Sequence, residues 1–226
     1  MRRTEYAAAG SQRWLQLAVA KAPDQLHEAL AQAGAVRPGE KIEWKAPIAE
    51  NGFAEPRDNE ALRLAGIESL PVRSLATFWP RRGPVWDAVA RVGQAASLFV
   101  EAKAHVAEAA SPPSQASPNS LEKIREALSE ARSFYAPDST ADWHRVFYQY
   151  ANRLAHHYLL WKVNGLDSRP VFLQFLNARD VSGPTSAAEW EAATKVIHDA
   201  PGLPARLEGM EVFHAYFDTN GLVATR

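Results

Sequence analysis

Apolar positions change period several times along the chain, and each change marks an element. Trp14, Leu15, Leu17 and Ala18 recur at helical spacing and predict a helix over 11–22. Pro23 suits the first turn of a second helix, continued by Leu26, Ala29, Leu30 and Ala33 and closed by Gly34. Ile42, Trp44, Ala46 and Ile48 alternate with Lys41, Glu43, Lys45 and Pro47, the period of a half-exposed strand. A short helix is expected over 56–65, stopped by Gly66. Three strands follow at 72–79, 85–92 and 96–104, separated by the Arg82-Gly83-Pro84 turn and by Gly93-Gln94, which favours an antiparallel meander. The proline- and serine-rich stretch 111–120 reads as an exposed loop. Asn119 and Glu122 resemble a capping box that opens a helix to about 134. A longer helix over 143–163 carries Phe147, Tyr150, Leu154, Tyr158 and Trp161 on one side. A strand at 170–176, a helix at 186–199 and a strand at 211–217 complete the series. The economical reading is one α/β or α+β domain spanning 1–226.

Composition narrows the function classes. Hydrophobic residues make up 46% of the 226 and charged residues 23%, so a packed core is expected rather than disorder. The absence of cysteine excludes disulfides, thiolate catalysis and zinc ribbons. Apolar runs fall short of the roughly 20 residues of a membrane helix. No apolar leader core follows Arg2 and Arg3, so a soluble, cytoplasmic chain without a membrane partner is expected. A net charge of −1 excludes binding of nucleic acid by bulk polycation. By segment, however, residues 71–105 hold five Lys or Arg against two acids, and 177–226 hold seven acids against four. The middle of the chain is basic, as a phosphate-binding cleft requires.

The chemistry concentrates at Pro84-Val85-Trp86-Asp87 and Glu101-Ala102-Lys103. Leu98, Phe99 and Val100 lead an apolar strand straight into Glu101. Residues i and i+2 of a strand share a face, so Glu101 and Lys103 project together, and Asp87 on the neighbouring strand adds a second carboxylate. Two close carboxylates raise each other's pKa unless a cation intervenes, and oxygen ligands suit Mg²⁺ or Mn²⁺. A lysine beside such a metal orients a water or stabilises charge on a phosphate. A second acid-x-Lys triplet, Glu43-Trp44-Lys45, lacks the apolar lead-in. His156 and His157 are adjacent, point to different helix faces and cannot pair on one metal. The seven Trp and nine Phe are read as core.

These segments resemble the PD-(D/E)XK nuclease superfamily, the restriction-endonuclease-like fold, whose core runs α-β-β-β-α-β with a mixed central sheet flanked by helices. They are also similar to uncharacterised bacterial members with WDA…VEAKAH segments, here Trp86-Asp87-Ala88 and Val100 to His105. The resemblance covers 55–176, with 105–142 as an insertion, 1–54 as an N-terminal elaboration and 177–226 as a C-terminal helix and strand. It implies a Mg²⁺- or Mn²⁺-dependent hydrolase of phosphodiester bonds, those of DNA first, and two chains pairing to cut two strands. Asp87, Glu101 and the Ala102 carbonyl would hold the metal, joined by Glu55 or Asp58 from the first helix, and Lys103 would be the catalytic lysine. Gln149, Arg153, His105, Arg81 and Arg82 are candidates for the substrate. Two departures stand out: Trp86 precedes Asp87 with the proline displaced to position 84, and Arg153 stands where some members place a tyrosine four residues after Gln149. The alternative is the same fold kept as a non-catalytic binding or assembly module.

Overall fold

A computed structural model describes residues 5–222. A five-stranded mixed sheet lies between two layers of helices. Its strands are β1 (Ile42–Ala46), β2 (Ala88–Val92), β3 (Ala96–Lys103), β4 (Ser168–Leu176) and β5 (Phe213–Asp218), in spatial order β1-β2-β3-β4-β5. The first two pairings are antiparallel and the last two parallel. The helices are α1 (Gly10–Lys21), α2 (Pro23–Gln32), α3 (Asp58–Leu64), α4 (Leu75–Phe78), α5 (Pro118–Tyr135), α6 (Tyr148–His157) and α7 (Ala187–Asp199). Among the described residues no helix is long and apolar enough to cross a membrane.

The central strand explains the layering. Seven of the eight residues of β3 are buried, because both its faces are covered. Leu98, Val100 and Ala102 pack with Trp14, Leu17, Leu26 and Leu30 of α1 and α2. Phe99 points the other way and joins Val89, Phe172, Leu154 and Leu128. Glu101 and Lys103 share the Phe99 face, so the carboxylate and the ammonium are carried into the layer built by α3 to α6. Trp79, Trp86, Trp143 and Trp190 are buried, in keeping with their reading as core.

Several expected elements differ. Residues 72–79 form no strand. Ser74 caps the one-turn helix α4 by accepting from the Thr77 N–H, and Leu75, Phe78 and Trp79 are buried at helical spacing while Val72 is 71% exposed. The third antiparallel strand is instead β1, so the sheet begins before residue 55, in the segment expected to be an elaboration, and β5 extends it into the C-terminal one. Helix α5 starts at Pro118, with Ser117 as an N-cap whose hydroxyl donates to Ser120 Oγ and accepts from no backbone N–H, so the Asn119–Glu122 capping box does not form. The expected 143–163 helix starts only at Tyr148, because Phe147 is left-handed (φ 44°), and from Tyr158 to Val163 it widens to π-helix. Both parallel links are helical crossovers, α6 into β4 and α7 into β5, and α7 has a true capping box between Ser186 and Glu189.

Candidate active site

Asp87 lies one residue before β2. In the antiparallel register Ala88 faces Val100, so one further step sets Asp87 opposite Glu101. The backbone fixes this approach twice. The Asp87 N–H donates to the Val100 carbonyl at 3.1 Å, and Asp87 Oδ2 accepts from the Ala102 N–H at 2.7 Å. Asp87, Glu101 and Lys103 thus gather on one face of the sheet.

Glu101 is 3% exposed and held by two cations. Lys103 Nζ bonds Oε1, and Arg153 brings Nε (2.7 Å) and Nη2 to Oε2. Arg153 is itself 3% exposed; it donates to the Val85 carbonyl and Asn152 Oδ1, both at 2.7 Å, and its guanidinium lies 4.8 Å from the Trp86 ring. Burial opposes charge on Glu101, but Arg153 and then Lys103 outweigh it and hold the carboxyl below its ordinary value. Asp87 lacks such a partner. Burial first and the Glu101 charge second push it up to about 7, against the pull of Lys103, the Ala102 N–H and Arg153.

The other expected residues are distributed around this centre. Gln149 lines the same small cavity as Glu101 and Lys103. Arg153 turns inward on Glu101, since α6 is buried on all sides from Tyr150 to His157. Asp58 is spent on the turn before Asp87: Oδ2 accepts from the Arg82 N–H at 2.9 Å and Oδ1 from the Gly83 N–H at 2.8 Å. Glu55 accepts from Gln12 Nε2 at 2.7 Å. Both acids follow β1, so neither stands on the helix that precedes the first strand. Arg81 and Arg82 are exposed at that turn. His105 leans on Glu108 at 3.3 Å. His156 gives Nδ1 to the Asn152 carbonyl, and burial lowers it to about 4; His157 bonds the Met210 carbonyl. Glu43 and Lys45 pair at the outer edge of β1, a surface ion pair.

Sequence reasoning passed over Gln174, Tyr150, His198 and His214, which flank the cavity beside Lys103 or pack against it. The readable signal was Gln174, a lone amide inside the apolar run of β4.

Among the described residues no cluster of three or more His, Cys, Asp or Glu is arranged to hold a metal. The oxygen donors gathered here are the two carboxylates, with the backbone carbonyl between Glu101 and Lys103 as a third. Hard oxygen donors of this number fit one Mg²⁺ or Mn²⁺, which keeps several waters and binds through one or two carboxylates. Compared with known families, curated proteins and solved structures, the chain matches none.

Proposed function

We propose that this chain is a metal-dependent nuclease of the restriction-endonuclease-like fold, hydrolysing phosphodiester bonds of DNA. The observation that carries the reading is the convergence of Asp87, Glu101 and Lys103 from two antiparallel strands, with Asp87 tied to the Ala102 N–H. The element order is compatible with it: α2, β1, β2, β3, α6 and β4 follow an α-β-β-β-α-β order in which α2 and β1 take the places expected of 56–65 and 72–79, with α3 and α4 inserted between β1 and β2.

Asp87, Glu101 and the Ala102 carbonyl would hold the ion. Bound there, it would neutralise phosphate charge and lower the pKa of the attacking water. Lys103 orients that water and offsets charge that develops on the phosphate. Arg153 fixes the Glu101 carboxylate through a forked, desolvated contact, so the ligand is held before metal arrives. The exposed Arg81 and Arg82, on the turn that leads into Asp87, meet the nucleic-acid backbone.

One observation favours the second reading, a non-catalytic module: Lys103 and Arg153 already balance Glu101 without a metal. Calorimetric titration with Mn²⁺ separates the two. The nuclease reading expects one site per chain, strongly weakened by Asp87→Asn. A titration without a site, or one indifferent to Asp87→Asn, favours the module and defeats the nuclease.

A further inference from the structure

Beneath α6 and α7 the sheet carries two rows across three strands. Glu101, Phe172 and His214 form one; Lys103, Gln174 and Tyr216 form the other. A cavity of ≈ 30 Å³ opens between them, lined by Glu101, Lys103, Gln174, His214 and Tyr150 among others. Two of its polar atoms are buried without a partner among the described residues, Gln174 Oε1 and His214 Nδ1. Gln174 is 4% exposed, and its Nε2 is engaged with Thr194 Oγ1 at 3.1 Å, so its oxygen is the open end.

The protonation of His214 follows from a chain of bonds. The Pro204 carbonyl can only accept, so His198 Nδ1 carries a hydrogen toward it (2.9 Å) and His198 Nε2 is a lone pair. That lone pair takes the Tyr150 hydroxyl hydrogen (2.7 Å). The Tyr150 oxygen then accepts from His214 Nε2–H (3.2 Å), which leaves His214 Nδ1 an acceptor. Burial first, and the neighbouring His198 second, keep His214 neutral, its pKa lowered to about 3. The cavity therefore holds two buried acceptors that no donor reaches among the described residues, an arrangement that costs free energy until one does. Lys103, rich in donors, lines the same cavity and is the cross-strand neighbour of Gln174.

We propose that Gln174 Oε1, backed by His214 Nδ1, is the seat that Lys103 Nζ takes when Glu101 turns to a metal. Gln174 is thus a positioning residue, and the assignment rests on the nuclease reading. In the structure Lys103 is bound to Glu101 Oε1. With a divalent ion held at Glu101, that oxygen would be contested and Lys103 Nζ would be displaced from it. An ammonium whose side chain is only 16% exposed gains from a second acceptor when it leaves the first. Gln174 supplies one without charge, so no further carboxylate stands between the ammonium and a phosphate.

The test is a double-mutant cycle on Mn²⁺ affinity, read by calorimetry with the metal alone and no nucleic acid. Gln174→Leu should lower the affinity about ten- to hundredfold in the otherwise unaltered chain, the scale of a lost hydrogen bond to a charged group. In a Lys103→Met background the same change should have no effect, because no ammonium is left to seat. Gln174→Met, similar in length and with only a weak sulfur acceptor, serves if the leucine variant does not fold, and thermal melting of each variant establishes folding first. An equal loss in both backgrounds, or none in the first, overturns the assignment while leaving the metal site standing. A wild-type chain that binds no Mn²⁺ overturns the assignment and the nuclease reading together.

Discussion

Asp87 carries its carboxyl into a region that already holds the negative charge of Glu101, and only one of its oxygens is compensated, by a backbone N–H. An acid raised from its ordinary 3.8 to about 7 keeps its proton in the folded chain over a range where the unfolded chain has released it. Between about pH 4 and 7 the folded state binds more protons, so this group makes stability fall as pH rises through the window, by up to about 4 kcal/mol. Asp87→Asn removes the effect and preserves an acceptor for Ala102. In metal-free urea unfolding at several pH values, the variant should gain on wild type steadily between pH 4.5 and 7.5 and hold level above that. A difference that does not vary with pH would contradict the placement of this carboxyl. The buried histidines, lowered to about 4 (His156, His157) and 3 (His214), weaken the fold as pH falls, but in both proteins alike, so they cancel in the comparison.

At the scale of elements, the site depends on how the chain enters β2. The turn at 81–84 is pinned by Asp58, and Gly83 sits so close that an added Cβ would lie 2.9 Å from Asp58 Oδ1 and 3.3 Å from both His156 Nε2 and the Trp79 ring. Gly83→Ala should therefore destabilise the fold by about 1–3 kcal/mol, the usual scale of overpacking, and shift the Asp87 backbone. Chemical denaturation gives the first effect, and an amide shift at Asp87 in NMR the second; an unchanged midpoint would contradict the packing. The same region illustrates what the sequence does and does not disclose. Strands β2, β3 and β4 were legible because apolar runs bounded by Gly or polar turns have few alternatives. Residues 72–79 were not, since a run of mixed apolar residues fits either period, and the cap from Ser74 and the burial of Phe78 decide for a helix. The acid-x-Lys face of β3 was legible from period two alone. That Arg153 turns onto Glu101 was not legible, because helical spacing reveals which residues share a side but not whether the opposite side is also covered, as it is around α6. Gln174 was missed because only the pairing of β3 with β4 brings it beside Lys103.

Over the whole molecule, the charge of −1 hides the exposed Arg81-Arg82 pair on the turn that leads into Asp87. If that turn meets the DNA backbone, Arg81→Gln with Arg82→Gln should weaken DNA binding and reduce the slope of log affinity against log salt by about 1–2, one ion released per lost phosphate contact. Fluorescence anisotropy over a KCl series measures this, and since both side chains are exposed the melting temperature should not move. An unaltered slope would direct the search for the nucleic-acid surface elsewhere. The layered sheet has a division of labour: α1 and α2 seal one face with apolar side chains, while on the other, where β3 and β4 end and β2 begins, Asp87, Glu101, Lys103 and the Gln174 amide meet Arg153 of α6.

The central claim is that these groups cleave phosphodiesters, and the direct measurement is nicking of supercoiled plasmid DNA in Mg²⁺ or Mn²⁺ by the purified chain beside Lys103→Met. Wild type should cleave, chelation should stop it, and the variant, folded and melting like wild type, should have lost the cleavage. Cleavage that persists undiminished in Lys103→Met, or a wild-type chain that cuts no nucleic acid of any form with either metal, would contradict that claim.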